Sequence, residues 1–514
     1  MALYEWFIFF LIIQVIHFLG TWKLYQIVGR KAWEAGIPIY NAIILMKIIN
    51  RPWWYVILLF VPIINLLMFP VIWVETLRSF GKNSTLDTLL GVGTLGFYIY
   101  FVNYTQKVEH IKDRSLKPKN ATADFISSII FAVIVATIVH TYVMQPYNIP
   151  TSSLEKSLLV GDFLFVSKFH YGARTPSTAV AFPMVHDTMP FFGRSYAKWP
   201  QLPSLRFPAF EKIEKNDIVV FNWPTDTVYF FRDPSGRHVD KPLDKRSNYV
   251  KRCLATPGDS LKIVNGDVYI NGQLLPLHDR QKLQYSYNVT ADVRGLSDDY
   301  LRKELQITDG FGFDGVDKLR FAALTDETAA RLKANPAIKS IEKNNDTVGS
   351  TAIFPHSKSN WSVDNMGPLY IPKQGVTVEL NKETLPFYER IIKEYEHNQL
   401  TVSGDDIRIN GVVTKQYTFQ QDYFWMMGDN RHNSEDSRYW GYVPADHIVG
   451  KPVFIWMSLD QNVPWSKALD KIRWNRLFTT VGGSGEPVSY FKYFVILVLG
   501  WYGWSFYRKR KKKA

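Results

Sequence analysis

The sequence predicts a multi-spanning α-helical membrane region joined to a mainly β domain that carries insertions. Three observations predict it. Apolar runs of membrane length lie in the first 144 residues and again near the C-terminus. Short alternating segments punctuated by turn residues recur through 145–487. The basic residues that produce the net charge of +13 are gathered beside the apolar runs.

The run 6–22 is apolar apart from Gln14 and His17, with no basic stretch ahead of it and no small-residue cleavage site, so it reads as an uncleaved first membrane helix. The run 36–46 is too short to span and reads as interfacial or re-entrant. Residues 53–74 predict a second span, with Trp53 and Trp54 at the interface and kinks at Pro62 and Pro70. A third, 86–102, contains Asp87 together with Gly91, Gly93 and Gly96, glycines suited to close helix packing. The fourth, 125–144, has twenty residues without Lys, Arg, Asp or Glu. At ~1.5 Å per residue such a helix crosses the ~30 Å hydrocarbon core. A last span is predicted over 488–507, followed by the basic tail 508–514.

Charge orients these helices. Five Lys/Arg against one acid lie in 23–51, five against two in 106–122, and six Lys/Arg in 508–513. These segments hold the whole excess, so the charge reads as positive-inside topology and anionic-lipid contact, and nucleic acid is excluded as a partner. The N-terminus and residues 145–487 are then expected outside, with the tail in the cytoplasm. A single cysteine, Cys253, excludes an intramolecular disulfide and a Cys-rich zinc site.

Strands are predicted at 217–221, 249–253, 261–264, 268–270, 375–379 and 407–409. Asn265-Gly266 between two of them signals a two-residue hairpin, because both turn positions need positive φ. Helical patches are expected at 325–333 and at 386–396, where Phe387, Ile391, Ile392 and Tyr395 form a stripe. The stretch 175–210, rich in Pro and aromatics, reads as packing on the membrane face or capping a groove. Residues 465–478 mix basic and aromatic side chains in a manner suited to the interface. The division is a membrane region 1–122, a helix 123–144, a β domain in two parts at 145–275 and 407–487, an inserted subdomain 276–406, the last helix 488–507 and the tail 508–514.

Function is concentrated after the fourth apolar run, in 147–166. Thr151, Ser152 and Ser153 follow Pro150 there, close to the predicted bilayer surface. Hydroxyls after Pro are ordinary turn and N-cap residues, and alone they prove little. Two later stretches change their meaning: Asn248-Tyr-Val-Lys-Arg-Cys-Leu-Ala-Thr-Pro-Gly-Asp259, and Met427-Gly-Asp-Asn-Arg-His-Asn-Ser-Glu-Asp-Ser-Arg-Tyr-Trp-Gly-Tyr-Val-Pro444. With these motifs in this order the chain resembles bacterial type I signal peptidases, membrane-bound Ser/Lys endopeptidases that remove signal peptides from exported proteins. The resemblance covers roughly 125–275 and 405–460.

It implies that Ser153 is the nucleophile, since the second Ser of the family's Pro-Ser-x-Ser-Met pattern falls there in Pro150-Thr-Ser-Ser-Leu154. From the residues alone Ser152 and Ser157 compete with it. Lys251 is implied as the base. An unperturbed Lys at ~10.4 is protonated and useless for abstraction, so its site must depress it to roughly 7–8. In a strand Lys251 shares a face with Tyr249 and Cys253, which suits a buried amine. Ser434 matches the serine that orients the amine, and Asp436 with Arg438 matches a structural ion pair. Gly428 permits close backbone approach, and the Ser153 N–H with the Thr151 hydroxyl is implied as the oxyanion hole. The family implies cleavage after small residues, Ala-x-Ala-like, through an acyl-enzyme. It also implies signal-peptide-bearing preproteins as partners and a bacterial cytoplasmic membrane with the catalytic domain on its outer face.

Departures from the pattern fall at Ser152, Leu154 and Glu155-Lys156, on the edge of the substrate groove. His432 reads as a loop residue rather than a base. Neither metal-binding His spacing nor a phosphate loop occurs, so no cofactor is expected. A soluble self-cleaving repressor with the same dyad would need a DNA-binding module, and a non-enzymatic scaffold would be expected to lack Ser153, Lys251 or Ser434.

Overall fold

The computed structural model describes residues 3–117, 121–228, 233–292, 295–313, 317–358 and 360–511. Positions 118–120 of the basic loop and 512–514 of the tail, both invoked in the topology reading, lie outside the described residues. The chain forms two compact units. One holds Met1–Val143, Ala173–Phe207 and Thr227–Arg246, the other Met144–Gly172, Pro208–Asp226 and Ser247–Ala514.

The first unit is helical: α1 (Leu3–Ile27), α2 (Tyr40–Ile48), α3 (Tyr55–Leu58), α4 (Ile64–Ser79), α5 (Thr85–Gly93), α6 (Tyr98–Thr105) and α7 (Ala121–Ile138), the last continued by a wider turn over Val139–Val143. Among the described residues two helices are long and apolar enough to cross a membrane, Leu3–Ile27 and Ala121–Val143, or three if α5 and α6 count as one bent span. The sequence reading has five. The run 53–74 is not one helix but α3 and α4, broken around Pro62 and Ile63, the latter at φ 69°. Proline supplies no N–H to the helical ladder and clashes with the preceding turn, which favours a break there. Within 86–102, α5 and α6 meet at 117°. The bend falls at Gly96, whose φ of +86° is open to glycine, and a Cβ there would lie 2.7 Å from the Trp73 ring. At the C-terminus the helix Phe491–Lys511 exists, but Lys492 and Arg508 confine its uncharged stretch to 493–507, ~22 Å long and short of the ~30 Å core.

The stretch 175–210 belongs mostly to this helical unit. Trp6 Nε1 donates to the Gln201 carbonyl at 3.0 Å, and Ala181 and Tyr196 pack with Ile63. Its contacts within the unit are those of packing on helices.

The second unit is built on an antiparallel sheet of β1 (Met144–Asn148), β2 (Asp162–Ser167), β3 (Ile218–Asn222), β4 (Asn248–Ala255), β5 (Tyr423–Met427), β6 (Val443–Pro444), β7 (Ile448–Ser458) and β8 (Thr479–Thr480). Their order is β1-β2-β7-β3-β4-β5-β6, with β8 also on β7. A smaller sheet pairs Met366–Tyr370, Ser260–Val264, Asp267–Ile270 and Gln273–Leu274. Asn265 and Gly266 turn its hairpin at φ 52° and 84°, the positive values a tight primed turn requires.

The stretch 276–406 does not form one subdomain. Tyr285–Ala291, Phe311–Phe313, Lys318–Leu324 and Ile338–Lys343 make a four-stranded sheet with the helix Asp326–Lys333, capped by Thr325. This small domain has its own core around Val289, Leu319, Phe321 and Leu332. Farther on, Leu369, Ile371, Ile391 and Ile392 join Leu254, Leu261 and Trp425 in the largest core of the unit. Ile391 and Ile392 belong to the expected stripe, which runs over Leu385–Arg390 and a wider turn Ile391–Tyr395. Burying each such side chain contributes about 1.5–3 kcal/mol, so these segments are structural parts of the β unit.

Candidate active site

Lys251 sits in the middle of β4, a central strand flanked by β3 and β5. Strand alternation sends Tyr249 and Cys253 to one apolar cluster and Val250 to another. Ser153 lies in the loop 149–161 between β1 and β2. That loop is pinned by Ile149, Leu154 and Leu158, which are buried with Leu164 and Ile455. The two side chains meet: Lys251 Nζ donates to Ser153 Oγ at 2.6 Å, with Lys251 3% and Ser153 6% exposed.

Burial away from water disfavours the ammonium and pulls Lys251 down to about 8. Arg438 acts in the same direction, while Asp436, Glu435 and Asp429 oppose it. The Tyr249 ring, 5.5 Å from Nζ, walls the amine on one side. An amine near neutrality, held against a hydroxyl, is the arrangement that activates a serine.

The competing hydroxyls are engaged elsewhere. Ser152 Oγ accepts from Asn433 Nδ2 at 3.0 Å, and Ser157 Oγ donates to Asp429 Oδ2 at 2.7 Å. Thr151 stands two residues before Ser153 in the same bend, half-buried. Ser434 is 8% exposed, and its buried hydroxyl has no hydrogen-bond partner among the described residues. Lys251 directs its hydrogen bond to Ser153, not to Ser434. Gly428 brings Ser434 close: a Cβ at Gly428 would fall 2.3 Å from Ser434 Oγ and 2.5 Å from the Ser153 carbonyl oxygen.

This geometry coincides with a family match. Residues 122–316 and 367–457, more than half of the chain, match the family described as signal peptidase, peptidase S26. The chain belongs to this family. The S26 peptidases are serine endopeptidases, and this chain is a hydrolase of that class. It is 26% identical over 373 residues to signal peptidase I of Buchnera aphidicola subsp. Acyrthosiphon pisum, covering 70% of this chain and 81% of that one. Signal peptidase I of Haemophilus influenzae is 24% identical, covering 71% and 78%. That of Helicobacter pylori strain J99 is also 24% identical, covering 70% and 93%. Residues 33–113 match a separate family of unknown function (DUF5684). The S26 match takes in most of 276–406, so only 317–366 falls between its two segments.

Around the S26 site the polar groups are held by buried ion pairs. Arg438 clamps Asp436 through Nε and Nη2, both at 2.9 Å, with the pair 1% and 0% exposed. Burial alone would raise the Asp436 carboxyl, but the Arg438 charge and its hydrogen bonds outweigh burial and hold it below the ordinary value. Asp436, itself extended, caps the short helix Ser437–Trp440 that carries Arg438, and both side chains are buried. Its second oxygen also accepts from the Gly428 N–H at 3.1 Å, tying the pair to the turn beside Ser153.

A second clamp has a weaker sequence signal. Arg252 binds Asp429 through Nε at 2.8 Å and Nη2 at 2.6 Å. Each residue directly follows a predicted site residue, Lys251 or Gly428, which is the one hint the motifs offer. Register explains the pairing, since Arg252 lies opposite Met427 at the end of β5. Asn430 also goes unnoticed in the motif: its N–H donates to the Ser153 carbonyl at 3.1 Å and its Nδ2 to the Ser152 carbonyl at 3.2 Å.

His432 is engaged away from Ser153 and Lys251. Its Nδ1 accepts from the Ser286 N–H at 2.9 Å, and its Nε2 is 2.9 Å from Asp364. It fastens the 428–438 loop to the small domain. Among the described residues no cluster of three or more His, Cys, Asp or Glu side chains is arranged to hold a metal ion.

Gly428→Ala is expected to lower kcat/KM on a preprotein by about 10²-fold or more, because its Cβ would push Ser434 or the Ser153 backbone out of place. Overpacking is expected to cost about 1–3 kcal/mol of stability. Steady-state cleavage alongside denaturant unfolding separates the two effects.

Proposed function

We propose that this S26 peptidase removes signal peptides from exported preproteins by a Ser/Lys dyad, with Ser153 as nucleophile and Lys251 as general base. One observation carries the reading: the 2.6 Å contact between a buried serine hydroxyl and a buried lysine amine whose pKa is drawn down to about 8. When the amine is neutral, the same contact runs in reverse, from hydroxyl to lone pair.

Ser153 Oγ then attacks the scissile carbonyl carbon and its proton passes to Lys251 Nζ. The resulting oxyanion is placed against the Ser153 N–H and the Thr151 hydroxyl. As the C–N bond breaks, the Lys251 ammonium returns its proton to the leaving amine, and the signal peptide remains esterified to Ser153. Water, deprotonated by Lys251, hydrolyses the ester. Ser434 is assigned to orient the neutral amine: among the described residues its buried hydroxyl has no hydrogen-bond partner, and it lies against Gly428 as the Ser153 carbonyl does. Gly428, Asp436 and Arg438 fix the floor on which these groups sit.

The membrane has a part in this. The helix Ala121–Val143 runs in sequence directly into β1, so the Ser153 loop follows a span by only a few residues. A substrate whose apolar segment stays in the bilayer is thereby kept at raised effective concentration. On this reading the chain lies in the bacterial cytoplasmic membrane as a multi-pass protein with the peptidase unit on the outer face and its basic loops on anionic lipid.

The test is cleavage of a preprotein by the purified full-length protein in detergent, with the N-terminus of the product sequenced. A single cut after a small residue at the end of the signal peptide is expected. Absence of cleavage across several preproteins, or cuts unrelated to that position, would refute the reading.

A further inference from the structure

One short segment of the small domain reaches the nucleophile turn. Lys156 Nζ donates to the Gln306 carbonyl. Asp309 Oδ2 accepts from Asn430 Nδ2 at 2.5 Å and from Asn433 Nδ2 at 3.3 Å. The segment is anchored, because Ile307 is 3% exposed and belongs to the small domain's core with Leu301 and Leu305.

The two asparagines are the residues that hold Ser152 and Ser153. Asn430 Nδ2 donates to the Ser152 carbonyl at 3.2 Å as well as to Asp309, and Asn433 Nδ2 donates to Ser152 Oγ at 3.0 Å. Asn430 Oδ1 is buried with no partner among the described residues. The orientation of this amide therefore rests on its nitrogen. A carboxylate only accepts, so Asp309 selects the orientation that points Nδ2 at the Ser152 carbonyl and Oδ1 away from it. Without Asp309 the Asn430 amide is held by the 3.2 Å bond to the Ser152 carbonyl alone, and the Asn433 amide by its bond to Ser152 Oγ alone, so each loses the second tether that fixes it.

We propose that Asp309 is a positioning residue for Ser153, acting through Asn430 and Asn433. The inference rests on the reading of Ser153 as the nucleophile. By fixing both amides, Asp309 keeps the Ser152-Ser153 backbone in register with Lys251, and it makes the small domain a working part of the site. Lys156, where this chain departs from the common pattern, is engaged by the same segment.

The experiment is steady-state cleavage of one preprotein by the full-length protein. Asp309→Ala is expected to lower kcat about tenfold with KM within twofold, since the defect is misplacement of the nucleophile. Asp309→Asn, which keeps an acceptor oxygen for both amides, is expected to stay within threefold of wild type. In an Asn430→Ala, Asn433→Ala background, Asp309→Ala is expected to change kcat less than twofold. The pH midpoint of activity should not move, because Asp309 does not touch Lys251. Unchanged kcat in Asp309→Ala, a loss confined to KM, a shifted midpoint, or a full tenfold further loss in the double-alanine background would each overturn the proposal. If thermal melting shows Asp309→Ala to be unfolded, Asp309→Ser replaces it under the same criteria. Ser153→Ala in the same assay reports on the nucleophile separately: cleavage surviving there refutes the underlying reading, whereas a null result at Asp309 with Ser153→Ala inert refutes the positioning role alone.

Discussion

Ser153→Ala is expected to reduce preprotein cleavage by at least about 10³-fold while leaving the fold intact. The mutation removes one oxygen, and the loop that carries it is held by Leu154, Leu158 and the Asn430 contacts, none of which uses the hydroxyl. No neighbour can substitute. Ser152 Oγ is engaged by Asn433, and Ser157 Oγ is spent on Asp429. Ser152→Ala is accordingly expected to keep activity within about threefold, because the Asn430 bond to the Ser152 backbone survives. Cleavage rates with thermal melting of each variant check both outcomes. Strong activity in Ser153→Ala, or its loss in Ser152→Ala alone, would reassign the nucleophile.

Changing Lys251 has an effect of similar size and a further signature in pH. Only the neutral amine accepts a proton, and burial draws its pKa down to about 8. Activity should therefore rise with pH, about tenfold per unit below that value, and level off above it. Lys251→Met is expected to abolish cleavage at every pH. The stability consequence has a definite sign. Unfolded, the lysine titrates near its model value of 10.5; folded, near 8, so between these values the unfolded chain binds more protons and stability rises with pH. Below about 8 the folded protein carries a buried ammonium whose desolvation is only partly offset. Lys251→Met relieves it, and the variant is expected to be more stable than wild type at neutral pH by up to about 3 kcal/mol. Denaturant unfolding at pH 7 and at pH 10 checks this, the difference shrinking at the higher pH.

Contiguity decided what was legible in the sequence. The dyad and its ion pair sit inside short motifs, and the hairpin at Asn265-Gly266 announces itself through two residues that tolerate positive φ. Hydropathy located the apolar runs, and Pro62 marked where one of them is interrupted, though as a kink and not as a full break. The bend at Gly96 depends on backbone conformation and on a glycine's approach to Trp73, which a window of apolar residues does not record. At the C-terminus Lys492 and Arg508 shorten the uncharged length of a run whose apolar composition alone reads as a span. Long-range pairings were the least visible. The Arg252–Asp429 clamp follows from strand register, and the Asp309 contacts bring together residues more than a hundred positions apart. The stretch 276–406 reads as one insertion because it is long, charged and mixed in structure; among the described residues 285–343 builds a core of its own, while later segments join the core of the β unit.

The most direct test of the account is the mass of the covalent intermediate. The full-length protein is mixed with a preprotein, quenched in acid within one turnover and digested, and the peptide spanning 147–166 is analysed. The account predicts that this peptide carries the C-terminal residues of the signal peptide as an ester on Ser153, in an amount that rises with pH through about 8 and vanishes in Lys251→Met. An ester on Ser152 or Ser157, or efficient cleavage with no acylated peptide at any quench time, would contradict it.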